Sequence, residues 1–374
     1  MDECSVVAPP YLGRPLRLHA FRGTTLAPRR MGWPGVARAL TRAYRDADAE
    51  LAALDRAGHL VTDEEPALYL HEYSAGGLTV RGLVGALDLA RRAATQAESA
   101  VVPHEGIHPE RVEGLAERMV ALHLQPAPIL LVHRGPEPVR RLLQRTVRTP
   151  PDRVFTDRGR QHHRIWALRA PADLELLDRE LAGAVPMIAD GHHRYAAYLG
   201  LQQSRPGTGW DHGLAMLVDQ SDTPLFLGAI HRVLHGITLD QVAEVAVAHG
   251  WALPLLARRQ ALDALSASTA VLTDGSRWAV LPLHLPPGET AVDVLHDLVL
   301  PALPGGVPDL AHVHDVETAI RQARRRGGVA VLLPAPDFDL IHHLVAHQRL
   351  LPEKATSFQP KPGVGVLMRA VPDG

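Results

Sequence analysis

The sequence predicts an α/β protein, mixed in the α+β sense, built as two domains. Three observations carry this expectation. The apolar run at residues 185–189 passes through a tight turn at Asp190-Gly191 into a helix through Tyr195, Ala196, Ala197, Tyr198 and Leu199. From about residue 237, helical patterns alternate with short strand patterns. A chain of 374 residues is also longer than one hydrophobic core usually serves.

The elements follow in order. Trp33-Pro34 opens a helix that carries Val36, Leu40, Tyr44, Leu51 and Leu54 at helical spacing and stops at Gly58. Strands at residues 67–70 and 79–87 flank a hairpin turn, Ser74-Ala75-Gly76-Gly77. A polar link, Pro103-His104-Glu105-Gly106, leads to a second helix near His108-Pro109, with Val112, Leu115, Met119 and Leu122 on one face. Pro128-Ile129-Leu130-Leu131-Val132 is a buried strand. Residues 134–184, rich in Arg, Pro and Asp, read as an insertion with one strand at 164–168. The segment 225–231 closes a first domain spanning 1–236. Strands at 270–272, 278–281 and 329–333 belong to a smaller α/β domain, 237–374, which ends in a Lys-rich loop and a strand at 364–368.

Composition narrows the function classes. Apolar residues make up 46% and charged residues 21%, an ordinary globular balance. Lys+Arg number 39 against Asp+Glu 41, so bulk charge does not hold this chain to nucleic acid or to acidic membranes. The basic runs Arg29-Arg30 and Arg324-Arg325-Arg326 read as solvated helix ends. Cys4 is the only cysteine, which excludes an intrachain disulfide and a thiolate metal cluster. The acidic start lacks an apolar signal core, and no segment reaches the roughly 18 apolar residues of a membrane span. The expectation is a cytoplasmic protein without nucleic-acid or membrane partners, with homo-oligomer formation left open.

The junction Asp190-Gly191-His192-His193-Arg194 concentrates the chemistry. A strand-to-helix turn aims backbone N–H groups and the positive helix end at one point, which suits an anion such as phosphate. Gly191 permits close backbone approach, and Arg194 can fork onto phosphate oxygens. His192 and His193 add donors, while Asp190 could hold a metal ion or a proton. Glu105, beside His104, is either a general base or a carboxylate favourable to the following helix dipole. The loop from Pro352 to Lys361, with Lys354, Thr356 and Lys361, either closes over phosphate or carboxylate groups or is a plain surface loop. His343 and His347, four apart on one helix, could share a metal, although no third ligand is apparent and Leu340, Leu344 and Leu351 make that face a core face. His162-His163 is unspecific. No Gly-x-Ser-x-Gly elbow, Walker A loop or Gly-x-Gly-x-x-Gly fingerprint occurs.

The series Pro103-His104-Glu105, an amphipathic helix, Pro128-Ile129-Leu130 and Ile188-Ala189-Asp190-Gly191-His192-His193-Arg194 resembles the prokaryotic family called domain of unknown function 1015. Ala8-Pro9-Pro10-Tyr11, Gly82-Leu83-Val84-Gly85, Ile230-His231-Arg232 and the run from Leu351 to Lys361 extend the resemblance over nearly the whole chain. Leu12 stands where the family usually has Asp, and Ala355, Ser357 and Gln359 depart from its C-terminal motif. The core, without the insertion, is similar to the free-serine kinases of ParB/sulfiredoxin-like fold. That likeness implies a kinase-like phosphotransferase using Mg²⁺ and ATP or ADP on a small serine-like metabolite. It implies Glu105 as the base, with His104 beside it, and Asp190 as a magnesium or substrate contact. Gly191, His192, His193 and Arg194 form the implied phosphate cradle; His231, Arg232, Lys354, Thr356 and Lys361 are further nucleotide contacts. The alternative it implies is a non-catalytic nucleotide-binding switch of ParB-like type.

Overall fold

The computed structural model describes residues 6–31, 40, 47–286, 288–352 and 354–372. They divide into two compact units: the chain up to Leu225 together with the residues from Pro360, and Phe226–Gln359. This division differs from the expected boundary at 236. His231–His235 belongs to the second unit because it pairs with Leu310–Val313 and Gly328–Leu332. The C-terminal strand Met368–Ala370 returns to the first unit, between Gly23–Leu26 and Leu124–Gln125. The start of the helix expected after Trp33-Pro34 lies outside the described residues; its described part is Ala47–Arg56.

The first unit is organised by an eight-stranded sheet. Its elements are β1 (Leu18–His19), β2 (Leu68–Ala75), β3 (Leu78–Asp88), α1 (Pro109–Leu122), β4 (Ile129–His133), α2 (Glu137–Thr146), β5 (Arg153–Thr156), β6 (His162–Leu168), α3 (Pro171–Leu181), β7 (Met187–Asp190), α4 (His192–Ser204) and β8 (His212–Asp219). The strand order is β5-β6-β2-β3-β8-β4-β7, with β1 on β3. Pairing is antiparallel throughout except between β4 and β8. The β2–β3 hairpin turns through Gly76 (φ 59°) and Gly77 (φ 82°), the two left-handed positions that a tight two-residue turn demands. The sheet is lined by Leu131, Ile188, Leu217 and Trp166, and Tyr195 and Leu199 of α4 pack into the same core. Each such side chain contributes about 1.5–3 kcal/mol on burial.

Residues 134–184 differ from the expected insertion. They supply α2, β5, β6 and α3, and β6 pairs with β2 from His162↔Ser74 to Leu168↔Leu68, so the segment widens the main sheet. Its Arg-rich composition hid this because only Ile165, Trp166 and Leu168 of β6 are apolar and buried.

The second unit holds a five-stranded, wholly antiparallel sheet of His231–His235, Thr269–Thr273, Trp278–Pro282, Leu310–Val313 and Gly328–Leu332. The helix Val316–Arg326 packs on it, capped by the Asp315 carboxylate, which accepts from the Thr318 N–H at 2.8 Å. Arg324, Arg325 and Arg326 form its last turn, where cations favour the helix dipole. Both units are therefore α+β. The strand expected at 364–368 begins only at Met368, because left-handed Gly365 (φ 84°) interrupts the extended run. No helix among the described residues is long and apolar enough to cross a membrane.

Gly213 fixes the seat of α4 on β8: a Cβ there would lie 2.6 Å from Tyr198 Cδ2. Gly213→Ala is expected to lower unfolding free energy by about 1–3 kcal/mol, checked by urea denaturation. An unchanged midpoint would show that the helix can yield.

Candidate functional site

One backbone pairing assembles the site. On the side of β7 away from β4, Val102 bridges Met187 in parallel. The Val102 N–H donates to the Pro186 carbonyl at 3.0 Å, and the Ile188 N–H donates to the Val102 carbonyl at 2.9 Å. Because the pairing is parallel, both strands leave at the same end. Pro103-His104-Glu105 is thereby carried alongside Asp190-Gly191-His192.

The histidines lock the two segments together. Buried His104 donates from Nδ1 to the Ile188 carbonyl at 2.6 Å, and its backbone N–H donates to His192 Nε2 at 3.3 Å. The two rings meet edge to face, 4.5 Å between centres. One turn on, the His108 N–H donates to His193 Nε2 at 3.0 Å, with the rings stacked. A ring nitrogen that accepts carries no proton, so these partners assign the proton of a neutral His192 to Nδ1. That atom lies 4.0 Å from Glu105 Oε2. His192 thus stands next to Glu105, a proximity the sequence alone did not suggest, and His108 joins the site unforeseen.

Gly191 opens α4 in the left-handed region (φ 96°), and no side chain caps the helix start. A Cβ at Gly191 would meet Arg194 Nη2 at 2.9 Å, because the arginine folds back across the turn. Arg194 donates to Asp190 Oδ2 at 2.7 Å, to the Pro128 carbonyl at 2.8 Å and to the Ala127 carbonyl at 3.2 Å. It clamps the turn to the loop before β4, whereas the sequence suggested a guanidinium open to phosphate. The more accessible cation is Lys361, 47% exposed against 21% for Arg194, and it pairs with Asp190 Oδ1. Its segment is anchored by the Tyr73 hydroxyl, which donates to the Pro360 carbonyl at 2.7 Å, and by Gln161 Nε2, which donates to the Lys361 carbonyl at 3.1 Å. Burial, with the Asp190 carboxylate nearby, pushes the Tyr73 phenol above its usual range.

As a magnesium ligand Asp190 has both oxygens turned to cations, and among the described residues no group of three or more His, Cys, Asp or Glu is placed to hold a metal ion. The protein side chains alone therefore do not form a cation cage. The other expected contacts lie in the second unit. Arg232 is fully buried there and donates to the Ile230 carbonyl at 2.7 Å, the Lys354 carbonyl at 3.1 Å and His296 Nε2 at 3.1 Å, which makes it a fastener of that unit. His231 is buried and accepts from the Leu333 N–H at 3.2 Å. Lys354 takes a left-handed backbone (φ 58°), and Thr356 precedes the strand Ser357–Gln359. His343 and His347 also belong to this unit, where His347 Nδ1 donates to the His343 carbonyl at 2.8 Å.

Burial lowers His104 to a pKa of about 4, against the opposing pull of the Ile188 carbonyl and the Asp190 carboxylate. The unfolded chain takes up this proton near pH 6.5 and the folded chain only near 4. The stability His104 contributes is thus full above pH 6.5 and is lost as pH falls through that window, by up to about 3 kcal/mol. Urea denaturation between pH 7 and 4 is expected to show this slope, reduced by about one proton in His104→Gln; an unchanged slope in the variant would contradict the assignment.

The sequence profile of the family described as Protein of unknown function (DUF1015) matches residues 34–292. A comparison with curated proteins finds no match. Among solved structures, the chain is similar to a free serine kinase in complex with AMP, at 17% identity and TM-score 0.40, over 71% of this chain and 89% of that one. It is similar to a conserved hypothetical protein from Pyrococcus furiosus, at 17% identity and TM-score 0.38, over 71% and 92%. It is also similar to SbnI with a C-terminal truncation from Staphylococcus aureus, at 13% identity and TM-score 0.42, over 72% and 84%. The family profile spans well over half of the chain and includes both Glu105 and the Asp190–Arg194 turn; the protein belongs to the DUF1015 family.

Proposed function

We propose that this protein transfers a phosphoryl group from ATP or ADP to the hydroxyl of a small, serine-like metabolite. The observation that carries the reading is the placement of the Glu105 carboxylate beside the left-handed turn that opens α4, 4.0 Å from His192 Nδ1. Phosphoryl transfer is mostly positioning and charge neutralisation, and these are the resources the site offers. The start of α4 presents N–H groups and the positive end of a 13-residue helix to an anion. Lys361 would leave Asp190 to meet the phosphate charge, while Arg194 keeps the turn in shape.

Glu105 would take the proton from the acceptor hydroxyl as that oxygen forms its bond to phosphorus. The bond from phosphorus to the leaving phosphate oxygen breaks, and the nucleotide departs one phosphate shorter. His192, whose Nδ1 lies 4.0 Å from Glu105 Oε2, would help to place the carboxylate beside the turn. Mg²⁺, when bound with the nucleotide, would supply charge neutralisation between phosphate oxygens, with Asp190 as its protein contact once Lys361 has moved.

Phosphate transfer from Mg·ATP or Mg·ADP to pooled hydroxylated amino acids, read by mass spectrometry, tests the proposal. A phosphorylated product is expected with wild type, and Glu105→Gln is expected to slow transfer by about 10²–10⁴-fold while nucleotide affinity stays within a few-fold. Transfer at the wild-type rate by Glu105→Gln would remove Glu105 as the base. Nucleotide binding without any product would favour the non-catalytic switch.

A further inference from the structure

The first unit contains a second candidate site, a cleft of about 590 Å³ beside the end of β1 and the C-terminal strand. His19, Arg22, His212 and Arg369 contribute four basic side chains to its ten lining residues, none of which is acidic. Phe21 and Pro372 add apolar surface. A volume of this size falls in the range of small-ligand sites.

Arg369 is the decisive residue. It is 8% exposed, and its guanidinium donates to the Gly209 carbonyl at 2.8 Å, the His212 carbonyl at 3.2 Å and Gln125 Oε1 at 3.5 Å. All three acceptors are neutral, and among the described residues Arg369 has no carboxylate partner. A buried cation without a counter-ion is costly, and arginine does not relieve that cost by losing its proton. Exposed Arg22 likewise has no ion pair among the described residues. Three carboxylates close to the lining residues are already engaged: Asp88 lies 4.0 Å from His19 Nε2 and pairs with Arg91, Asp211 accepts from Gln202 and the Gly207 N–H, and Asp63 accepts from the Tyr69 hydroxyl and pairs with Arg153. His19 and His212 meet edge to face, 5.1 Å between ring centres. Burial, Arg369 and His19 together hold His212 below its ordinary pKa, against the opposing pull of the Asp88 and Asp211 carboxylates.

We infer that this cleft binds a small phosphate monoester with an apolar body, its dianionic head meeting Arg369 and Arg22 and its body lying against Phe21 and Pro372. The two arginine charges match a dianion, and an anion here would favour protonated His212 as a further donor. None of these residues takes part in the proposed phosphoryl transfer.

Phenyl phosphate is the probe, titrated into the full chain and followed through the His212 ring resonances, which His212→Gln identifies. Saturable binding is expected to raise the His212 titration midpoint, to weaken with added salt, and to exceed that of benzoate. Arg22→Gln is expected to lower affinity by about tenfold with the fold intact, since Arg22 is exposed. Arg369→Met should abolish binding; because it also removes contacts to two carbonyls, Arg22→Gln is the variant that decides. Absence of a saturable His212 response, equal affinity in Arg22→Gln, or an affinity that responds to Lys361→Met but not to Arg22→Gln would each overturn the proposal.

Discussion

Everything at the candidate site depends on one parallel backbone pairing, Val102 with Met187. Without it, Glu105 would stand on a polar link and Asp190–Arg194 at the end of an edge strand, with no reason to face each other. Two hydrogen bonds set the alignment, and the histidine contacts at His104–His192 and His108–His193 continue it beyond the sheet. Each contact is backbone N–H to ring nitrogen, and rotation of the His192 ring would leave the buried His104 donor unsatisfied. The pair of segments is held as a unit before any ligand arrives, which is the preorganisation that charge-stabilising sites require.

The division of labour among the charged groups follows from what each already touches. Arg194 is anchored to two carbonyls and to Asp190, and is therefore a poor candidate to move. Lys361 is half exposed and has a flexible stem, so exchanging Asp190 for a phosphate demands little of the rest of the protein. In the absence of a ligand the same contacts keep Asp190 compensated. The cationic cleft around Arg369 has the opposite character, since its guanidinium meets neutral acceptors and its charge has no ion pair among the described residues.

Much of this was legible in the sequence where the information is local. The strand, the turn and the helix around Gly191 follow from an apolar run, a glycine and helical spacing within about fifteen residues. Glu105 stood out by its position before a helix, but nothing local shows that it meets His192. The contacts that define the site join residues remote in the chain: Tyr73 to Pro360 across 287 positions and Lys361 to Asp190 across 171. Composition also misled. The Arg- and Pro-rich segment at 134–184 resembles an insertion because β6 begins His162-His163-Arg164 and shows only a short apolar stretch, which masks its pairing with β2. Arg194 looked like a phosphate ligand because sequence cannot show that two carbonyls before β4 already occupy its guanidinium.

Residues 102–108 and 190–195 are proposed to form one nucleotide-phosphate site. Hydrogen exchange of the full chain, with and without Mg·ADP, tests it directly. Joint protection of those two segments, together with the segment around Lys361, is the predicted result. Protection confined to one of them, or a nucleotide that binds while both exchange unchanged, would contradict the account.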